Sequence, residues 1–166
     1  MKALFLLVTL SIISGCSTHR QLPKDFSFRV EDSYESAFDR YDSEKNEYQR
    51  NYTNRVAKIK VKLTNEEKVL INSYFEEANF SNFPEEFKSI PNKDGEIDLS
   101  DFPGTTIKIS LKSNGSSKIV LYNSSDTSEE FKNRTQKFIK LNEKIWQILK
   151  KKQKVKKLKE SDFIFL

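Results

Sequence analysis

Histidine and cysteine are nearly missing from this chain of 166 residues, with His19 and Cys16 standing alone. Zinc, haem and iron–sulfur sites of familiar construction draw on several such side chains, so those chemistries are excluded in practice and no cofactor is expected. A single thiol also forbids an internal disulfide. Only 4 glycines and 4 prolines are present, and there is no G-x-S-x-G, S-x-x-K or phosphate-cradling glycine loop. The usual signatures of serine hydrolases and nucleotide-binding enzymes are therefore lacking. No apolar run reaches the roughly 20 residues that a permanent membrane-spanning helix requires.

Charge, by contrast, is abundant: 29 basic and 24 acidic residues leave a net charge of +5. The two signs are interspersed, so no basic stripe for nucleic acid is indicated. Leu, Ile, Val and Phe supply 47 residues, above the ~20% level under which disorder is usual. The length suits one core, and no shift of composition marks a second domain.

The first 16 residues read as three zones: a positive start at Lys2, an apolar run from Ala3 to Ile13, and Ile13-Ser14-Gly15-Cys16. The run is the length of a signal-peptide h-region, too short to remain as a span. Ile13-Ser14-Gly15-Cys16 resembles the lipobox of bacterial lipoproteins, with Ile13 where leucine is commonest. The resemblance covers only this segment. It implies that residues 1–15 are a signal peptide, that the Cys16 thiol receives a diacylglyceryl group, and that palmitate-type acyl chains hold the protein in the cell envelope. Several chains are needed, since one alone binds a bilayer only marginally. Ser17, which is not aspartate, resembles the outer-membrane default, facing the periplasm where the cell has two membranes. The alternative is an ordinary secretory signal with a chance cysteine. Residues 16–25 are expected to form the lipidated N-terminus and tether, and His19 within it is poorly placed to act as a general base. Residues 26–166 form the expected single domain.

Within that domain Phe26, Phe28 and Val30 alternate with Ser27 and Arg29, predicting a strand over 26–31. Phe38 to Tyr41 and Glu47 to Tyr52 flank a polar turn and suit a hairpin. Ala57, Ile59, Val61 and Leu63 alternate with Lys58, Lys60 and Lys62, giving a strand with one core face and one lysine row. At Thr64 the period changes: Thr64 and Glu67 predict a capping box, and Leu70, Ile71, Tyr74, Phe75 and Ala78 carry a helix over 65–78. The aromatic residues Phe80 and Phe83 follow, with Pro84, and should pack the helix end onto the sheet. Ile107, Ile109 and Leu111, then Asn114-Gly115, then Ile119 to Tyr122, predict a hairpin. A two-residue loop would pair Ile109 with Val120, whereas a three-residue loop pairs Leu111 with Ile119 and Ile109 with Leu121. Keeping the hydrophobes together favours the three-residue loop. A second capping box at Thr127-Ser128-Glu129-Glu130 opens a long amphipathic helix to about 151, with Phe131, Phe138, Leu141, Ile145 and Ile148 on its apolar stripe. The fold class expected is α+β, an antiparallel sheet of about four to six strands packed on one side by two helices.

Three segments invite chemistry. Asp94 to Asp101 is densely acidic, but an EF-hand needs glycine where Leu99 stands, so that motif fails. Tyr34, Tyr41, Tyr48 and Tyr52 are either an aromatic recognition surface or the cover of a sheet face. Lys150, Lys151, Lys152, Lys154, Lys156, Lys157 and Lys159 put seven lysines into ten residues. They are the candidate membrane- or partner-contact residues; the plainer alternative is a solvated helix end complementing the helix dipole. Nothing selects a catalytic pair among the carboxylates. The expectation is a non-catalytic binding module anchored to a membrane by its N-terminal lipid, acting on an envelope partner. An immunity or enzyme-inhibitor lipoprotein, or a carboxylate-dependent enzyme, are the alternatives.

Overall fold

The computed structural model describes residues 21–89, 104–124 and 128–162. Cys16, His19 and the acidic segment 94–101 lie outside them. Six strands, β1 (Ser27–Tyr34), β2 (Ala37–Asp42), β3 (Glu47–Tyr52), β4 (Arg55–Lys60), β5 (Thr106–Ser113) and β6 (Ser116–Asn123), form one antiparallel sheet in the order β4-β3-β2-β1-β5-β6. Two long helices, α1 (Asn65–Ala78) and α2 (Glu129–Lys150), cover it, and a short α3 (Gln153–Lys156) follows. The architecture is the expected α+β fold with six strands.

The sheet sorts its side chains by phase. Paired residues share a face, so Phe28, Tyr41, Tyr48 and Ile109, with Val30 between Tyr41 and Ile109, point toward the helices, and all but Phe28 are fully buried. The opposite face carries opposed charges in register: Arg29 with Asp42 at 2.7 Å, Arg40 with Glu31 at 2.6 Å, and Lys60 with Glu47 at 3.3 Å. The expected alternation of burial is present, but the strand ends sooner: β4 stops at Lys60, with Ala57 and Ile59 partly buried, and beyond it Val61 and Leu63 are buried while Lys62 is exposed, as are Lys58 and Lys60.

α1 begins where Thr64 accepts from the Glu67 N–H and the Glu67 carboxylate accepts from the Thr64 N–H, so the predicted box is closed in both directions. It stops at Asn79, whose left-handed backbone (φ 57°) ends the helix. Leu70 departs from expectation: it is 44% exposed, and the buried positions are Ile71, Asn72, Phe75 and Ala78. α2 is capped one residue later than the sequence suggests, by Ser128 accepting from the Phe131 N–H. The third helical position is then Phe131, so no reciprocal box forms. Its stripe runs through Phe131, Phe138, Leu141, Ile145 and Leu149, with Leu149 fully buried and Ile148 only partly so.

The β5–β6 hairpin overturns the three-residue expectation. Ser113 pairs with Ser116 across a two-residue turn, and Ile109 faces Val120. Asn114 (φ 53°) and Gly115 (φ 75°) both take the left-handed backbone that a tight hairpin demands, the conformation Asn-Gly adopts most cheaply. Turn chemistry outweighs grouping the hydrophobes: Ile119 is left 49% exposed, while Val120 and Tyr122 enter the core. Leu121 is accommodated on the other face because its backbone pairs with an extended segment, accepting from the Phe87 N–H at 3.0 Å and donating to the Glu85 carbonyl at 2.9 Å. That segment also covers the edge of β6. The turn is held from outside by Asp25, whose carboxylate accepts from the N–H groups of Asn114 and Gly115, each at 2.8 Å. Asp25, expected in the tether, is thus part of the fold.

Candidate functional site

On β1, β2 and β3 the helix-facing phase is apolar at one end and polar at the other, while on β5 and β6 Ile107 and Tyr122 keep the same row in the core. Following β1, Phe28 and Val30 give way to Asp32 on the same face; Asp32 is paired with Asp39 of β2, which is paired with Arg50 of β3. Three charged residues therefore occupy positions whose neighbours along each strand are core. The Arg50 guanidinium is fully engaged. It donates to both oxygens of Asp39 at 2.8 and 2.7 Å, to the Tyr48 hydroxyl at 2.9 Å and to the Lys159 carbonyl at 3.0 Å. Such a two-pronged pair is the strong form of ion pairing. Its bonds to Asp39 hold the Arg50 pKa above the ordinary guanidinium range.

Asp32 is treated differently. Both of its oxygens accept from the amide of Asn142, at 2.9 and 3.1 Å, in the middle of the α2 stripe. Burial raises its pKa above the ordinary carboxyl value, against the opposing pull of the Trp146 indole, Asn142 and Lys150. The Trp146 N–H acts on this carboxylate but falls short of a full hydrogen bond, and Nε1 has no partner among the described residues. Burial also pushes the Tyr48 phenol upward, so it stays protonated at ordinary pH.

Above this cluster lies a cleft of about 270 Å³ lined by Asp32, Asp39 and Arg50 on its polar side and by Tyr34, Ala37 and Phe38 on its apolar side. Its remaining wall comes from the C-terminal segment. Beyond α3 the chain runs past the end of β3 and the β3–β4 turn: the Tyr52 hydroxyl donates to the Lys159 carbonyl at 2.8 Å, Ser161 donates to the Asn51 carbonyl at 2.9 Å, and the Asp162 carboxylate accepts from the Thr53 N–H at 2.8 Å. This strap brings Glu160 and Ser161 to the rim. The cleft thus sits at the sheet end formed by the β1–β2 and β3–β4 turns, whereas Asp25 enters at the opposite end. The eight residues of β1 separate the two, a span of about 25 Å at strand rise.

The seven lysines singled out by sequence form the start of the strap. Lys150, Lys151, Lys154, Lys156, Lys157 and Lys159 are exposed, while Lys152 is half-buried and paired with Glu67 at 2.5 Å. Val155, between them, is buried and fastens α3 to the core. Tyr41, Tyr48 and Tyr52 are buried under the helices, the sheet-covering alternative, and form no recognition surface. Among the described residues no group of three or more His, Cys, Asp or Glu is placed to hold a metal ion, and no helix is long and apolar enough to cross a membrane. The Asp32, Asp39 and Arg50 cluster escaped the sequence reading. Its one signal is phase, since each charged residue lies two positions from a core residue on its strand. Compared with known proteins, the chain matches no family model and no curated sequence.

Proposed function

We propose that the chain is a membrane-anchored cell-envelope lipoprotein whose domain is a non-catalytic binding module, with the cleft beside Asp32 and Arg50 as its ligand-contact region. The observation that carries the binding reading is the commitment of the cluster's polar groups: both Asp39 oxygens are taken by Arg50 and both Asp32 oxygens by Asn142. A catalytic acid–base pair needs at least one carboxylate with an oxygen aimed at substrate and free to exchange a proton, whereas a floor whose carboxylates are already held by neighbouring side chains suits recognition. The anchor reading rests on Ile13-Ser14-Gly15-Cys16. Anchored there, the domain carries its cleft at the end remote from its point of attachment.

The test uses cells making the full chain. Cys16→Ala should abolish incorporation of labelled palmitate and leave precursor uncleaved; normal labelling would sink the anchor. A photo-crosslinking residue placed at Ser33 or Ser161, on the cleft rim, should give a discrete adduct that a residue at Lys137 on the exposed side of α2 does not. Equal adducts from both positions would remove the cleft from consideration, and turnover by the purified protein that is lost in Asp32→Asn would replace binding with catalysis.

A further inference from the structure

The outer edge of the sheet is basic along its whole length. β4 is an edge strand, and from Arg55 to Lys62, two residues past its end, the chain carries four basic residues and no acid. Lysines on an edge keep it from pairing with other chains, and that role is sufficient for Lys58, Lys60 and Lys62. It does not extend to the strap. The strap is fastened by the Lys159 carbonyl, Ser161, Asp162, the Lys152–Glu67 pair and the buried Val155. The side chains of Lys154, Lys156, Lys157 and Lys159 take no part: all are exposed, and among the described residues none makes a hydrogen bond or ion pair through its ammonium group. Fastened near Glu67 at one end of β4 and near Thr53 at the other, the strap runs on the helix side of the sheet, while Lys58 and Lys60 project from the uncovered face, so the two sets of ammonium groups lie on either side of the β4 edge. Along β4 and just past it, Lys58 and Lys62 likewise make no ion pair among the described residues; Lys60 pairs with Glu47, on which Lys58 acts at longer range.

We propose that this edge, β4 together with the Lys154–Lys159 strap, binds the anionic phospholipid headgroups of the membrane that carries the protein. The inference rests on the reading of Cys16 as the lipid anchor, and the reach is right. Nine residue steps separate Cys16 from Asp25, so the tether spans at most about 30 Å. The Lys60 end of β4 lies at the same end of the sheet as Asp25, since Lys60 pairs with Glu47 beside the β2–β3 turn and the Phe28 N–H donates to Ser43 in that turn. Three strand spacings separate β1 from β4, about 14 Å. Anchored chain and basic edge can therefore meet one bilayer surface together. Each basic group at an anionic surface multiplies binding roughly fivefold, an effect that salt removes. In this posture the strands lie along the membrane and the cleft opens sideways.

The experiment reconstitutes the lipidated full chain in vesicles of phosphatidylcholine alone or mixed with phosphatidylglycerol and follows amine acylation of each lysine by mass spectrometry, which also reports the lipid on Cys16. Lys58, Lys62, Lys154, Lys156 and Lys157 should react several-fold more slowly on anionic vesicles at low salt, with Lys108 and Lys112 of β5 unchanged and the difference lost at high salt. Equal rates on both vesicles overturn the proposal. Protection seen in intact cells but not on vesicles also overturns it, in favour of an acidic protein partner. If Cys16 carries no lipid, the anchor reading fails separately. Sedimentation of the Cys16→Ser chain from residue 16 onward with the anionic vesicles then judges the edge alone. In that assay replacing Lys154, Lys156 and Lys157 together by Gln should weaken binding by about a hundredfold while circular dichroism stays unchanged, because Val155 is retained.

Discussion

Two regions of the sheet's covered face are built on opposite principles. From the Asp25 end the space under the helices is filled by rings in an unbroken series: Phe26 and Phe28 against Phe75, Phe75 against Phe80 at 5.1 Å, Phe80 against Phe83, and Phe83 and Phe87 against Phe138, which carries the series on to Tyr122 of β6, level with Asp32. At the cleft end of β1, β2 and β3 the sheet instead presents Asp32, Asp39 and Arg50, and α2 answers with Asn142 and Trp146. The aromatic region gains from area removed from water and from edge-to-face ring geometry, about 1 kcal/mol per pair beyond burial. The polar end gains little net stability, because desolvating charges costs nearly what their pairing returns. It gains fixed geometry instead, and fixed geometry is what a recognition surface uses.

Substitutions can break this contrast or sharpen it. Phe138→Ala, at the meeting point of Phe83, Phe87 and Tyr122, should have the largest effect, a loss of about 4 kcal/mol in denaturant unfolding from transfer and cavity terms together. Arg50→Ala should cost about 3 kcal/mol, since it strips Asp39 of its partner and removes one of the two bonds to the Lys159 carbonyl. Combining it with Asp39→Ala should cost much less than the sum of the two single changes, as expected for one coupled unit. Full additivity would mean the polar end is not a network. Asp32→Asn should have the smallest effect, and its sign is opposite. Because burial raises the Asp32 pKa in the folded state, keeping it ionised costs stability as pH climbs from the ordinary carboxyl value through the raised one. Asp32→Asn removes that cost, so it should stabilise the protein by about 1 kcal/mol at neutral pH and lose the advantage as acid protonates the wild-type carboxyl. Stabilisation that persists unchanged in acid would show that charge is not its cause.

Much of the fold was legible because local rules and packing agree. The Thr64–Glu67 box and the β4 alternation are written in adjacent residues and hold in three dimensions. Where two local rules conflict, sequence gives no ranking. At Asn114-Gly115 the turn preference and the grouping of Ile119 and Leu121 with Leu111 and Ile109 point to different registers; the turn prevails because Asn-Gly takes the left-handed backbone cheaply, and Glu85 to Phe87, distant in sequence, then pair with the Leu121 backbone. The candidate site was illegible for a related reason. Asp32, Asp39 and Arg50 look like solvent positions until the β1–β2–β3 register sets them side by side, and the Asn142 contact joins residues 110 apart. The lysine run was conspicuous, but its course as a strap was hidden, since its fastenings are made largely by backbone and by Ser161 and Asp162 beyond it.

The Asp25 contacts have a mechanical meaning. β1, the strand that follows Asp25, is interior to the sheet, bonded along its length to β2 on one side and β5 on the other. Under the proposed anchor, any component of tension along that strand would load both hydrogen-bond ladders in shear, all rungs sharing the load, and no outer strand would be peeled rung by rung. Asp25 would add a brake before the first rung, passing part of the tension into the β5–β6 turn. If the proposed anchor holds, the domain is attached through a strand bonded on both sides.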